Sequence, residues 1–152
     1  RGLVRRLALA TALALAAGCA TKPAPTRLEG SIVAAADLNP SVSGRPSPLI
    51  LRVYELRSET AFNQADFMSL YQSDQATLGA ELVAREEVML QPGQTRPLAR
   101  VLDAQTRFVG VFAAYRDLER AVWRASVAVR PGKANRLTIR AQPLAVSAAA
   151  QP

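Results

Sequence analysis

The chain has 152 residues, no histidine, one cysteine, 19 basic and 12 acidic residues, and a formal net charge of +7. That inventory excludes Ser-His-Asp and Cys-His nucleophilic sites, any zinc site built from His and Cys, and an intramolecular disulfide. The basic residues, 17 Arg with only Lys22 and Lys133, are dispersed and not interleaved with aromatics, so the charge carries no nucleic-acid-binding pattern.

Residues 1–18 read RGLVRRLALATALALAAG. Arg1, Arg5 and Arg6 form a positive head, Leu7–Ala17 is apolar apart from Thr11, and small residues close the run. This is the layout of a secretory signal peptide. The run is shorter than the ~20 residues a bilayer span needs. It also lacks the polar face that a core helix would show at helical spacing. Because the sequence begins with Arg1 rather than Met, the true start is expected upstream. Removing 18 of 152 residues leaves 134, with 16 basic against 12 acidic, enough for one domain with its own core.

The segment ends in Leu15-Ala16-Ala17-Gly18-Cys19, which resembles the lipobox of bacterial lipoprotein signals. Ala17 and Gly18 fit its small positions. Ala16 stands where a larger residue is usual, with Leu15 one place early. The resemblance implies a diacylglycerol thioether on Cys19, cleavage before it, and a further acyl chain on the freed amine. No cofactor is expected beyond these chains. A lone exported thiol in a polar linker has no packing role, whereas two or more acyl chains give stable attachment at about 0.8 kcal/mol per buried CH₂. Ala20 follows where the sorting rule of enteric bacteria uses Asp for inner-membrane retention, so Ala20 points to the outer membrane.

Cys19–Thr26, CATKPAPT, reads as an extended lipidated linker because of Pro23 and Pro25. Folded sequence is expected over 27–146. A first strand is expected near Leu28–Ala35, weakened by Gly30. Asp37–Pro48, DLNPSVSGRPSP, reads as a long loop, of a length that is uncommon without structure and often functional. Period-2 alternation predicts a strand over Leu49–Leu56. Ala61–Tyr71 lacks Gly and Pro and predicts a helix, with Phe67, Leu70 and Tyr71 on a core face. Ser58, Thr60 or Asn63 is expected to cap it, with Asp66 in its first turn. Strands follow near Glu81–Leu90, with a helical start as the alternative for its N-terminal part, and near Arg96–Val101, joined by a Pro92-Gly93 turn. Phe108–Tyr115 is apolar on both faces, as an interior strand would be. Ala121, Trp123, Ala125, Val127 and Val129 form one strand face, and Leu137, Ile139 and Ala141 another, with Pro131-Gly132-Lys133 as a hairpin loop. Leu144–Val146 reads as a short last strand and 147–152 as a frayed tail. Seven or eight short strands with one inserted helix predict an all-β, antiparallel β-sandwich.

Catalytic chemistry is sparse. Glu86 and Glu87 are neighbours, but neighbours in a strand point to opposite faces, so they read as solvated ends rather than an acid/base pair. No Gly-rich phosphate loop follows a strand.

The stretches GRPSPLILRVYELRS (Gly44–Ser58), FNQADFMSLYQSD (Phe62–Asp74), LGAELVAREEVMLQPG (Leu78–Gly93) and FVGVFAAYRDLERAVWR (Phe108–Arg124) resemble the outer-membrane lipoproteins of type VI secretion systems, the TssJ (SciN-like) family. The resemblance covers most of Leu28–Val146. It implies a transthyretin-like sandwich of two sheets, no enzymatic activity, and attachment to the periplasmic face of the outer membrane. It also implies a partner, the periplasmic C-terminal domain of the inner-membrane subunit TssM, bound through the loop after the first strand. Mapped here, that loop is Ala36–Ser47, with Asp37, Leu38, Asn39, Pro40, Ser41, Val42, Ser43 and Gly44 as candidate contacts. Leu38 and Val42 are its apolar residues, either interface anchors or tucked beneath the loop. Trp123 is expected in the core, and Arg116 beside Asp117 or Asp66. No nucleic acid and no small-molecule substrate is expected. A reading of another class is a periplasmic β-sandwich lipoprotein that binds a ligand or inhibits an enzyme.

Overall fold

The computed structural model describes residues 18–152; the leader expected over 1–18 lies, Gly18 apart, outside the described residues. Residues 18–25 are exposed and carry no regular structure. Eight strands follow: β1 (Thr26–Ala34), β2 (Leu49–Leu56), β3 (Leu82–Leu90), β4 (Thr95–Leu102), β5 (Phe108–Ala113), β6 (Arg124–Ala128), β7 (Ala134–Ala141) and β8 (Val146–Ala150). They form two four-stranded sheets, β4-β1-β7-β8 and β3-β2-β5-β6. Among the described residues no helix is long and apolar enough to cross a membrane.

The core fills the space between the sheets. Alternate residues of β1 (Leu28, Ile32, Ala34) and β7 (Leu137, Ile139, Ala141) face Leu49, Leu51 and Val53 of β2 and Val109, Val111 and Ala113 of β5. The period of two puts every second side chain on that inner face. The face expected from Ala121 to Val129 packs there too, although only Arg124–Ala128 of it is strand.

Five expectations are corrected. Pro131-Gly132-Lys133 is not a hairpin: β6 lies at the edge of one sheet and β7 inside the other, so the chain crosses between sheets there. The sandwich is consequently not wholly antiparallel. β7 re-enters beside β1 in the same direction and pairs with it in parallel, while the other strand pairs are antiparallel. The tail is not frayed from Ser147, because β8 pairs with β7 from Val146 to Ala150 and covers its open edge. Folded structure begins one residue early, at Thr26, whose buried hydroxyl accepts from Gly132 N at 2.9 Å.

The helix is the fifth. It breaks into α1 (Thr60–Gln64) and α2 (Phe67–Leu78). Asp66 is extended and caps α2, accepting from Ser69 N at 2.9 Å, which is the geometry its short acceptor favours. Those bonds, from the Ser69 amide and hydroxyl, hold the Asp66 carboxyl below its ordinary value. Glu59, not an expected residue, stands at the N-cap of α1; Ser58 Oγ accepts from Thr60 N at 3.3 Å, and Glu81 reaches across to accept from Ala61 N at 2.8 Å. Phe67 and Leu70 turn inward as expected, while Tyr71 is exposed. The helices cover the outer face of β2 and β5, burying Tyr54, Leu56 and Phe112 beneath Phe62, Leu70 and Leu78. That second layer explains why these two strands are apolar on both faces. Trp123 is half-buried at its rim, 5.3 Å from Phe67 and 5.8 Å from Phe112.

A polar network clamps α2 to the sheet. Arg52 of β2 donates to Glu87 Oε2 (2.8 Å), Leu70 O (2.9 Å) and Tyr71 O (3.2 Å) and stands 3.4 Å from Asp74 Oδ2. Asp74 also accepts from Tyr54 Oη (2.9 Å) and from Arg85. Ser73 leaves helical geometry (φ −146°), so the carbonyls of Leu70 and Tyr71 need another donor, and Arg52 supplies it. Burial pushes the Tyr54 hydroxyl up to about 12. Burial alone would raise Asp74, but its bonds to Arg85 and Tyr54 outweigh that and hold it below its ordinary value. Glu86 and Glu87 do face opposite ways, Glu86 to Arg100 (2.6 Å) and Glu87 to Arg52.

Candidate functional site

The connection between β1 and β2, residues 35–48, lies at one end of the sandwich. Cys19 and the start of β1 lie at the other, separated by a nine-residue strand of about 26 Å. The loop is pinched at its neck. Leu38 N donates to Ala35 O at 3.2 Å, and Ser47 N to Leu38 O at 2.9 Å. Leu38 is thereby turned into the core and has no exposed surface. Asn39 is buried with φ +47°, a backbone region that Asn tolerates better than most residues. Its Nδ2 donates to Pro48 O (2.9 Å), its Oδ1 accepts from Arg116 N (2.9 Å), and its own N donates to Pro143 O (3.1 Å). One residue therefore ties the loop to two other connections, through its side chain to Arg116 and through its main chain to Pro143.

Beyond the neck the tip closes on itself. Ser41 N donates to Arg45 O and Gly44 N to Ser41 O, both at 2.8 Å, and Arg45 N to Ser41 Oγ at 3.2 Å. The eight candidate residues thus divide. Leu38 and Asn39 are buried and serve the fold, not a partner, because neither offers surface to touch. Pro40 and Ser41 are half-buried; Asp37, Ser43 and Gly44 are exposed; Val42 stands fully exposed at the apex.

A cleft of about 470 Å³ opens between this tip and the connection after β5, lined by Pro40, Ser41, Val42, Arg116, Asp117, Arg120 and Leu144. Its far wall is fixed by Tyr115, whose buried hydroxyl donates to Gln142 O at 2.8 Å; burial pushes that hydroxyl up. Asp117 pairs with Arg120 at 2.7 Å, and Asp66 is occupied at its helix cap, so neither takes Arg116 as expected. Arg116 is exposed and, among the described residues, forms no ion pair. Leu118 and Val122 on the same connection are also exposed. An apolar apex beside guanidinium groups on a braced frame suits protein contact, since Arg and apolar anchors are typical of interface cores. No group of three or more metal-ligating side chains occurs among the described residues. Arg116 and Arg120 lie in the stretch that carries the family resemblance and Leu144 in the expected last strand, but only the fold brings them beside Pro40–Val42.

At the opposite end Cys19 and Ala20 are exposed in the irregular N-terminal segment, and the thiol has no packing partner. The segment that carries Cys19 and Ala20 therefore joins the sandwich at the end opposite the loop.

A family model described as type VI secretion lipoprotein (VasD, EvfM, TssJ) matches residues 26–144. The crystal structure of the T6SS lipoprotein TssJ1 from Pseudomonas aeruginosa is similar at 44% identity and TM-score 0.81, over 84% of this chain and 98% of that one. Lip from Serratia marcescens, a membrane-bound component of the type VI secretion system, is similar at 27% identity and TM-score 0.74, over 81% and 96%. A chain in a structure of a type VI membrane complex is similar at 25% identity and TM-score 0.66, over 83% and 98%. No curated protein sequence matches.

Proposed function

The chain belongs to the type VI secretion lipoprotein family, and from that premise we propose that it is the outer-membrane anchor of the secretion system's trans-envelope complex. In this reading Cys19 carries the acyl chains, Ala20 permits outer-membrane sorting, and the loop end docks the periplasmic C-terminal domain of TssM. It is an assembly component rather than an enzyme. The observation that carries the reading is the polarity of the molecule. The exposed cysteine and the exposed apolar apex lie at opposite ends, so a chain held at Cys19 presents Val42 away from the membrane. Similarity to a chain of a type VI membrane complex supports a role within such an assembly.

Replacing Cys19 with serine tests the anchor. The variant is expected to disappear from the outer-membrane fraction, because removing two or more acyl chains removes the stable attachment. A variant that still pellets with outer membrane refutes the anchoring role.

The docking surface is tested at its apex rather than by deleting the loop, since deletion would also remove Leu38 from the core. Val42→Glu and Arg116→Glu are expected each to weaken binding of the TssM periplasmic domain by about tenfold or more, the scale of central interface residues. The melting temperature should stay within about 2 °C, as for other exposed substitutions. Unchanged affinity in calorimetric titration for both variants would move the interface elsewhere.

A further inference from the structure

Charge is distributed unevenly along the sandwich. At the loop end Arg45, Arg96, Arg116, Arg120 and Arg140 stand against Asp37, Asp117 and Glu119, an excess of two. At the other end Lys22, Arg27, Arg107, Arg130, Lys133 and Arg136 are exposed, against exposed Glu29 and Asp103. Three further charges there are already engaged. Arg57 donates to the carbonyls of Ala80 and Leu82, Glu59 accepts from Ser126, and Glu81 accepts from Ala61 N. Among the described residues, the ion pair in this group is Arg136 with Glu29, at 4.0 Å and solvent-exposed.

The chain leaves for Cys19 through this same basic patch. Arg27 N donates to Lys133 O and Gly132 N to Thr26 Oγ1, each at 2.9 Å, and Ala24 lies against Gly132. The chain is therefore bonded to the domain from Thr26 on. Only Cys19–Pro25 remains to extend, at most about 24 Å.

We infer that this end of the sandwich is a second, electrostatic membrane contact. Arg27, Arg130, Lys133 and Arg136 bind the phosphate groups of anionic phospholipids in the leaflet that holds the Cys19 acyl chains. The inference rests on the anchoring through Cys19 proposed above. An acyl anchor fixes a point but no orientation. A short tether keeps the basic face close to the headgroups, and the attraction acts within a Debye length of about 8 Å. Each basic residue there raises surface occupancy by about fivefold. The contact stands the sandwich upright, with Val42 and the cleft directed away from the membrane.

Lys22 and Lys133 are the only lysines of the chain, and both lie at this end. The acylated protein purified from membranes is reconstituted into vesicles of phosphatidylcholine alone or with added phosphatidylglycerol. It is then treated with acetic anhydride, and mass spectrometry reads acetylation at Lys133. The rate at Lys133 is expected to fall about fivefold in the anionic vesicles and to recover at high salt. The triple variant Arg27→Glu, Arg130→Glu, Arg136→Glu, with unchanged melting temperature, should react equally in both. Protein that floats with both vesicles yet shows equal Lys133 rates overturns the headgroup contact and leaves the anchor standing. Protein that fails to float with neutral vesicles overturns the anchor and the contact together.

Discussion

Alanine at position 30 is expected to cost the domain at least about 3 kcal/mol, a drop in melting temperature of roughly 10 °C or more. Gly30 sits in the middle of β1, between β4 and β7, with φ +137°, a backbone region that side chains rarely adopt. A Cβ placed there would lie 1.8 Å from the carbonyl oxygen of Leu137. That atom belongs to the backbone of the neighbouring strand, so no rotamer change can relieve the contact. Relief requires β1 and β7 to separate, and their parallel pairing is what closes the first sheet around the core. Gly93 provides the control. It also has positive φ (+76°) but nothing within 4 Å of an added Cβ, so Gly93→Ala should cost only about 1 kcal/mol of backbone strain. Thermal melts of the two variants separate strain from clash. Equal losses would show that β1 and β7 part more easily than their register indicates.

Arg52→Ala should be the second severe change, at about 3–5 kcal/mol. The guanidinium is nearly buried, stacked 5.3 Å from the Phe112 ring and 5.5 Å from that of Tyr71. Its removal leaves the carbonyls of Leu70 and Tyr71 without a donor beneath the kink at Ser73, and takes one cation from Asp74. Denaturant unfolding reads the loss, and hydrogen exchange should localise it to the residues of α2. The variant also has a pH signature. Because the Asp74 carboxyl lies below its ordinary value in the folded protein, its contribution is complete above about pH 4 and fades as pH falls through the folded value. Without Arg52 that value rises, so acid unfolding should begin at higher pH than in the unaltered protein. Coincident acid transitions, or a loss below about 1 kcal/mol, would show that water replaces the arginine at no cost.

Neither residue drew attention in sequence. Gly30 read only as a weakness in a strand, because a glycine in a period-2 run does not reveal which backbone lies against it. Arg52 read as the polar member of an alternating strand, yet its face is covered by a helix inserted later in the chain. Leu38 and Val42 show the same limit in the loop. Both are apolar residues on a polar segment, and one is a core residue while the other is fully exposed. Their separation depends on the Ser47 bond across the neck of the loop and on the Asn39 bonds to Arg116 and Pro143 in distant connections, which no local pattern encodes.

Composition and local pattern by themselves determined a chain without histidine chemistry, a succession of short strands with a helical insertion, a long loop after the first strand, and an isolated cysteine ahead of the folded part. These features depend on residue type and short-range spacing, which sequence displays directly. The tertiary structure alone decided the parallel pairing of β1 with β7, the crossing at 131–133, the β8 edge, and the meeting of Pro40–Val42 with Arg116–Arg120 and Leu144. Each joins residues far apart in the chain. Their contact is fixed by burying both inner faces in a single core and by satisfying the backbone groups of every connection, conditions met only when the whole chain has folded.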